Sequence, residues 1–390
     1  MTPMPPTSDT TLSAGLLRIL AVAAGSAVAN SYYNQAFLGL LAHDFGVASG
    51  TVATIPVLSQ LGGACGVLFL APLGDRFERR ALILATVAAL VVTLIAAALS
   101  PSLAWLAAAS LGVGLFATVA QQIVPFAVQL SAPSERGRVI GTVLSGILIG
   151  VLGARAVSGV IADALGWHAV YWFAVALTGT IGLVLALVLP RIEPTTRLSY
   201  PHLLASMVTL VRSHAGLRRA MAIQFLMFGA FMGFWSTVAL HLREPVYGLG
   251  GTAVGLLALA GIAGALAAPR AGALADRHGP ARVVSAGAGL VIAAFLLFRL
   301  LDGSLAALAA GVLVMDLGVA SSQVANQAQV HGLDPQARSR LNTVFMATML
   351  LGGAFGAGMG GLAFQHAGWT GACLFGAGAA VLALLLSRRG

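Results

Sequence analysis

The chain has 390 residues, of which 58% are hydrophobic and only 8% charged, against roughly 25% charged in a soluble globular domain. All 21 basic residues are Arg, 12 residues are acidic and the net charge is +9, a surplus that in a soluble protein would suggest a nucleic-acid partner. Here the Arg residues sit in short loops between long apolar runs, so a soluble nucleic-acid binder is excluded and the bilayer is the expected solvent.

In chain order, apolar runs long enough to cross a hydrocarbon core of ~30 Å occur at about 16–41, 50–72, 81–100, 103–130, 139–162 and 168–189. Six more follow at about 220–242, 251–271, 282–300, 305–330, 341–364 and 369–387. They are numbered 1 to 12. Arg18 and the small residues Ala27-Val28-Ala29 give run 1 the look of a signal peptide. Apolar sequence continues to Leu41, however, and the internal repeat needs the segment as a first helix, so it is expected to stay as a span. Residues 190–219, with Pro190, Pro194, Pro201 and five Arg, form the longest polar stretch and read as a linker between an N-terminal unit, 1–189, and a C-terminal unit, 220–390. Cys65 and Cys373 lie singly within apolar runs and indicate neither a disulfide nor a metal cluster.

Counting Arg on alternate sides of the runs puts eighteen on the side of the linker and two, Arg243 and Arg299, on the other. Arg retains loops on the cytoplasmic side, so both termini and the linker are expected there, in a bacterial inner membrane. A shift of 201 positions superposes Arg18 on Arg219, Gly50-Thr51 on Gly251-Thr252, Asp75-Arg76 on Asp276-Arg277 and Gln122 on Gln323. A shift of 202 superposes Arg136 on Arg338, Arg138 on Arg340, Gly150 on Gly352 and Gly166-Trp167 on Gly368-Trp369. The near-constant offset predicts two parallel six-helix halves related by an axis along the membrane normal.

The loop after run 8 reads Gly272-Ala273-Leu274-Ala275-Asp276-Arg277-His278-Gly279, and the loop after run 2 keeps Leu73, Asp75, Arg76, Arg79 and Arg80. These loops resemble the signature of the major facilitator superfamily (MFS). The resemblance implies an all-α membrane fold of twelve transmembrane helices in two pseudo-repeats, and secondary transport by alternating access. The segment Asn30-Ser31-Tyr32-Tyr33-Asn34-Gln35 with Asp44-Phe45-Gly46-Val47 is similar to the bacterial drug:proton antiporter branch, which implies proton-coupled efflux. Departures from that branch are Ser110 where run 4 often carries an Arg, and Gly153-Ala154-Arg155 where run 5 should carry a Gly-Pro pair. The resemblance also implies a cytoplasmic gate in which Asp75 and Asp276 bridge Arg76, Arg136, Arg277 and Arg338. The alternative for those residues is plain topology determinants in water.

Ionisable residues inside apolar runs are functional candidates. Arg155 in run 5 lies 17 residues from Arg138, and Asp316 in run 10 lies 18 residues from Asp334, roughly 25 Å from the loops at 1.5 Å per residue. At this common depth they form a charge pair across a central cavity or contact a charged substrate. Asp316 is the candidate protonation site, with Arg155 as anion-binding or charge-tuning partner; a static ion pair between halves is the alternative. Run 1 carries a polar stripe at helical spacing, with Ser26, Asn30, Tyr33, Asn34 and Phe37 on one face. Run 4 adds Gln122, and run 10 adds Gln323 and Gln327. In run 7 Phe228, Phe231, Met232 and Trp235, and in run 11 Asn342, Phe345, Met346 and Met349, offer the adaptable surface that Met and aromatic side chains give to apolar ligands. The substrate-binding candidates are thus Asn30, Tyr33, Asn34, Phe37, Gln122, Arg155, Trp235, Asp316, Gln323, Gln327, Asn342 and Met346. Gly62 and Gly66, Gly146 and Gly150, and Gly352, Gly356 and Gly360 permit close helix approach. The superfamily resemblance puts runs 2, 5, 8 and 11 between the halves, where such glycines would suit rocking; static tight packing is the alternative.

No P-loop, His-Cys cluster or G-x-S-x-G elbow occurs, so no enzyme activity, metal or cofactor is expected and a gradient must supply the energy. The expected partners are a small organic substrate, protons and the lipid bilayer, with the chain acting as a monomer. Uptake of an organic anion by proton symport is the runner-up, facilitated diffusion without protons follows, and a non-transporting membrane sensor is the remote alternative.

Overall fold

A computed structural model describes residues 12–191, 200–261, 277, 279–334 and 336–388. Among the described residues the structure is helical, without strands, and nine helices are long and apolar enough to cross a membrane. Lipid offers the backbone no hydrogen-bond partners, so closing every bond within the segment is the solution open to such runs. Helices keep the numbers of the runs they fall on.

The N-terminal half contains helix 1 (Ala14–Ala29, then Leu38–Asp44), helix 2 (Ser49–Val52 and Thr54–Cys65), helix 3 (Arg79–Ala98), helix 4 (Leu103–Ala117 and Val119–Gln129), helix 5 (Arg136–Leu165) and helix 6 (Trp167–Val188). The C-terminal half contains helix 7 (Ala215–His241), the described part of helix 8 (Gly251–Ala260), helix 9 (Pro280–Leu300), helix 10 (Leu305–Leu333) and the stretch Arg338–Arg388, in which non-helical Ala367 and Gly368 divide helix 11 from helix 12. Side chains cap several starts: Ser13 accepts from the Leu16 N–H, Ser102 from Trp105, and Glu78 from Arg80 and Ala81, satisfying donors that have no partner within the helix. The repeat is visible in the backbone. Gly166 (φ 83°) joins helices 5 and 6, and Gly368 (φ 58°) joins helices 11 and 12; these equivalent glycines occupy the left-handed region closed to most side chains. Within the predicted linker, Tyr200–Ser213 forms an amphipathic helix whose Leu203, Met207 and Leu210 are buried. The Tyr200 hydroxyl donates to the Phe69 carbonyl at the end of helix 2.

The glycine stripes face their own halves, not the surface between them. A Cβ on Gly146 or Gly150 would meet backbone at Ala21 or Gly25 of helix 1, one on Gly62 would meet Leu111 of helix 4, and one on Gly352 or Gly356 would meet Phe225 or Gly229 of helix 7. Small residues mark close approach, and these stripes mark the 1–5, 2–4 and 7–11 pairs inside each half. Gly356→Ala is therefore expected to cost about 1–3 kcal/mol, as overpacking against backbone that cannot rotate away. A thermal melt in detergent should show it, with Gly153→Ala, which enters open space within a helix, as the control that is not destabilised.

Contacts between halves cluster at the end opposite the Arg-rich loops. Asp163, at the end of helix 5, accepts from the Gly251 N–H (2.9 Å), the Thr252 N–H (2.7 Å) and the Thr252 hydroxyl (2.7 Å) at the start of helix 8. Gly159 packs against Gly251, Gly361 against Ala53, and Gly39 against the Ala239 carbonyl. At the same end His241 lies between Glu244 (2.7 Å) and Asp302 (2.9 Å) and stacks on Trp369, which ties helix 7 to the turn between helices 9 and 10.

Candidate functional site

Beneath that closure a cavity of about 430 Å³ lies between the halves. Its wall includes Leu144, Ile147 and Leu148 on the Arg136 side of Arg155, and Gln323, Gln327 and Met346 on the Asp334 side of Asp316. The cavity thus extends from the level of the two charges toward the Arg-rich end.

Arg155 is 1% exposed. Its Nε donates to Gln35 Oε1 at 2.7 Å, and its Nη1 makes a long bond of 3.4 Å to the Val151 carbonyl. Three aromatic faces surround the guanidinium: Trp235 at 4.2 Å, Tyr32 at 5.1 Å and Phe231 at 5.7 Å from Cζ. A desolvated cation gains most from such faces, ~2 kcal/mol or more, and they come from helices 1 and 7, on either side of the boundary between halves. The Met232 sulfur accepts from Gln35 Nε2 (3.2 Å) and Gln60 Nε2 (3.5 Å), so the relay Arg155–Gln35–Met232 crosses that boundary too.

Asp316 comes from helix 10 and lies against Gly261 at the end of the described part of helix 8, where any Cβ would collide with Asp316 Oδ2. Each of the two side chains keeps a buried atom without a hydrogen-bond partner, Nη2 of Arg155 and Oδ1 of Asp316. Among the described residues no direct hydrogen bond or ion pair joins Arg155 to Asp316.

Of the twelve binding candidates, Arg155, Asp316, Gln323, Gln327 and Met346 line the cavity, and Trp235 stands behind Arg155. The helix 1 stripe does not. The helix stops at Ala29, turns, and passes through a short 3-10 segment, Tyr33–Ala36, so residues spaced for one continuous face are rotated away. Asn30 Nδ2 bonds the Ser26 carbonyl and Thr178, Tyr33 packs edge-on to Phe173, Phe37 packs edge-on to Tyr171, and Asn34 is buried. In their place Ser31 and Tyr32 face the cavity, with Ser59 and Gln60 of helix 2. The available signal was the unbroken run of polar and aromatic residues from Asn30 to Gln35, too polar for one lipid-facing helix. Gln122 bonds Thr86 within its own half, whereas its repeat equivalent Gln323 lines the cavity. Asn342 accepts from Gln327 at 2.7 Å and so holds a wall residue in position.

Among the gate candidates, Asp276 and the side chain of Asp75 lie outside the described residues. Arg76, Arg136, Arg277 and Arg338 are exposed; Arg76 sits over the Phe77 ring, and Arg338 donates to the His331 carbonyl. Among the described residues no bond joins these arginines across the halves.

Two helical halves closed at one end around a cavity whose wall carries opposite charges have the architecture of a membrane transporter. The chain belongs to the Major Facilitator Superfamily, whose pattern matches residues 19–270 and again 220–389. It is similar to the uncharacterized transporter YgaY of Escherichia coli O157:H7, 38% identical over 379 residues, covering 97% of this chain and 96% of that one. It is also similar to the inner membrane transport protein YnfM of Escherichia coli K12, 26% identical over 376 residues, covering 92% and 86%. In fold it is similar to the nucleoside transporter NupG (TM-score 0.80, 15% identity, 95% and 98% covered). A bacterial homologue of the human lysosomal transporter Spinster, solved inward-facing and unoccupied, is alike at a TM-score of 0.74 and 15% identity, with 99% and 96% covered. The family and its homologues are transporters, not enzymes.

Proposed function

We propose that this chain is a proton-coupled secondary transporter that exports a small organic molecule across a bacterial inner membrane by antiport. It acts as a monomer of twelve transmembrane helices, with residues 1–189 and 220–390 as the moving halves and 190–219 as a cytoplasmic linker. With the Arg-rich loops and both termini cytoplasmic, the cavity opens inward and the Asp163 side is periplasmic. The observation that carries the reading is Arg155 and Asp316, contributed by different halves, in the wall of one cavity with a buried unpartnered atom on each. A carboxyl group there can load and release a proton as the halves move, and Arg155 sets the charge against which it does so. Asp75 and Asp276, with Arg76, Arg136, Arg277 and Arg338, would form the cytoplasmic gate when the cavity faces the other way.

A second reading, proton-coupled uptake of an organic anion, draws on Nη2 of Arg155 alone. Both are tested with purified protein in liposomes under an imposed pH gradient, screening organic anions and lipophilic cations. Antiport predicts proton movement opposite to the transported compound, and symport predicts movement with it. Transport of a compound with no proton movement would remove both.

A further inference from the structure

The wall of the cavity carries one positive and one negative group that share a site without satisfying each other. Arg155 is anchored by Gln35 and by three aromatic faces, yet Nη2 has no partner. Asp316 faces the same space, and its Oδ1 has none. A buried ion left partly uncompensated is expensive, and a ligand that supplies the missing partner recovers that cost.

The charge class of the ligand follows from balance. An anion on Arg155 would leave two negative groups, the anion and Asp316, sharing one positive partner, and a cation on Asp316 would do the reverse to Arg155. Either would also put a net charge inside the membrane, where charge is poorly tolerated. A ligand with one group of each sign pairs with both side chains and leaves the loaded site neutral. Phe228, Phe231, Met346, Met349 and Leu350 make much of the remaining wall apolar, which fits a hydrocarbon or aromatic body between or beside the charged ends.

We propose that the cavity takes a zwitterionic small molecule with an apolar body, its anionic end on Arg155 and its cationic end on Asp316. This rests on the reading of the cavity as the transport site; it does not require proton coupling.

The test is binding to the purified full chain, read as saturable thermal stabilisation in detergent. The probes are phenylalanine and a series of ω-amino carboxylates of six to eleven carbons, each compared with its N-acetyl derivative, an anion, and its methyl ester, a cation. The chain-length series covers the unknown spacing of the ends. At least one zwitterion should bind at least about tenfold more tightly than both of its singly charged derivatives, the scale of one well-placed charged contact. Arg155→Gln should weaken that zwitterion while sparing its ester, and Asp316→Asn should weaken it while sparing its N-acetyl form. Retained binding of the spared derivative shows that each variant is folded. A series in which every zwitterion that binds is matched by one of its own derivatives overturns the proposal, as does a series in which no zwitterion binds. Liposome assays separate the two readings. A zwitterion that binds and is never moved defeats the transport reading alone, whereas gradient-driven movement of a different compound with no zwitterion bound defeats the ligand class alone.

Discussion

Asp316→Asn is expected to abolish uphill transport while leaving exchange of substrate across the membrane intact. The amide matches the carboxylate in size and keeps the fit against Gly261, where a Cβ would collide with Asp316 Oδ2, but it cannot take up a proton. With one pH unit across the membrane, a one-proton mechanism stores about 1.4 kcal/mol and supports about tenfold accumulation. The variant should fall to simple equilibration. Counterflow of labelled substrate at saturating concentration should continue, because alternating access needs no titratable group once substrate occupies the site. Wild-type accumulation by Asp316→Asn would remove Asp316 from proton coupling and return it to ligand binding alone.

The overall architecture was legible because lipid is a demanding solvent. Run lengths follow from it, since a long apolar run can satisfy its backbone in lipid only as a helix, and the repeat reappears in the paired left-handed turns at Gly166 and Gly368. Arg155 and Asp316 were legible for the same reason, since an ionised group within an apolar run stands out. Less legible was anything that depends on where a helix stops. The predicted stripe through Asn30, Tyr33, Asn34 and Phe37 assumed one continuous helix, and the break after Ala29 exchanges it for Ser31 and Tyr32. Glycine spacing reported close approach without naming the partner, so it left rocking and static packing open, and the structure sets these stripes against helices of their own half. Gln35 and the aromatic ring around Arg155 required the fold, because helices 1, 5 and 7 meet there from distant parts of the chain.

Asp163 went unnoticed in the sequence because its partners are two backbone N–H groups and one hydroxyl on a remote helix start. All three bonds join the halves, and all must break for the closed end to open. Hydrogen bonds to a charged group contribute about 1.5–3 kcal/mol each when shielded, but Asp163 is exposed, which discounts the set heavily. A net effect of about 1–3 kcal/mol is reasonable, a shift of about 5- to 150-fold between the two states. Asp163→Ala is therefore expected to populate the state open at this end. The equivalent corner, where Gln365 meets Gly50, carries no charge and remains as the second closure, so the equilibrium should move without the closed state being lost. Spin labels at Leu165 and Val246, both strongly exposed, in a background lacking Cys65 and Cys373, should report a longer distance component that grows in the variant. An unchanged distance distribution would mean that Asp163 merely caps a helix and that the glycine contacts alone hold this end shut.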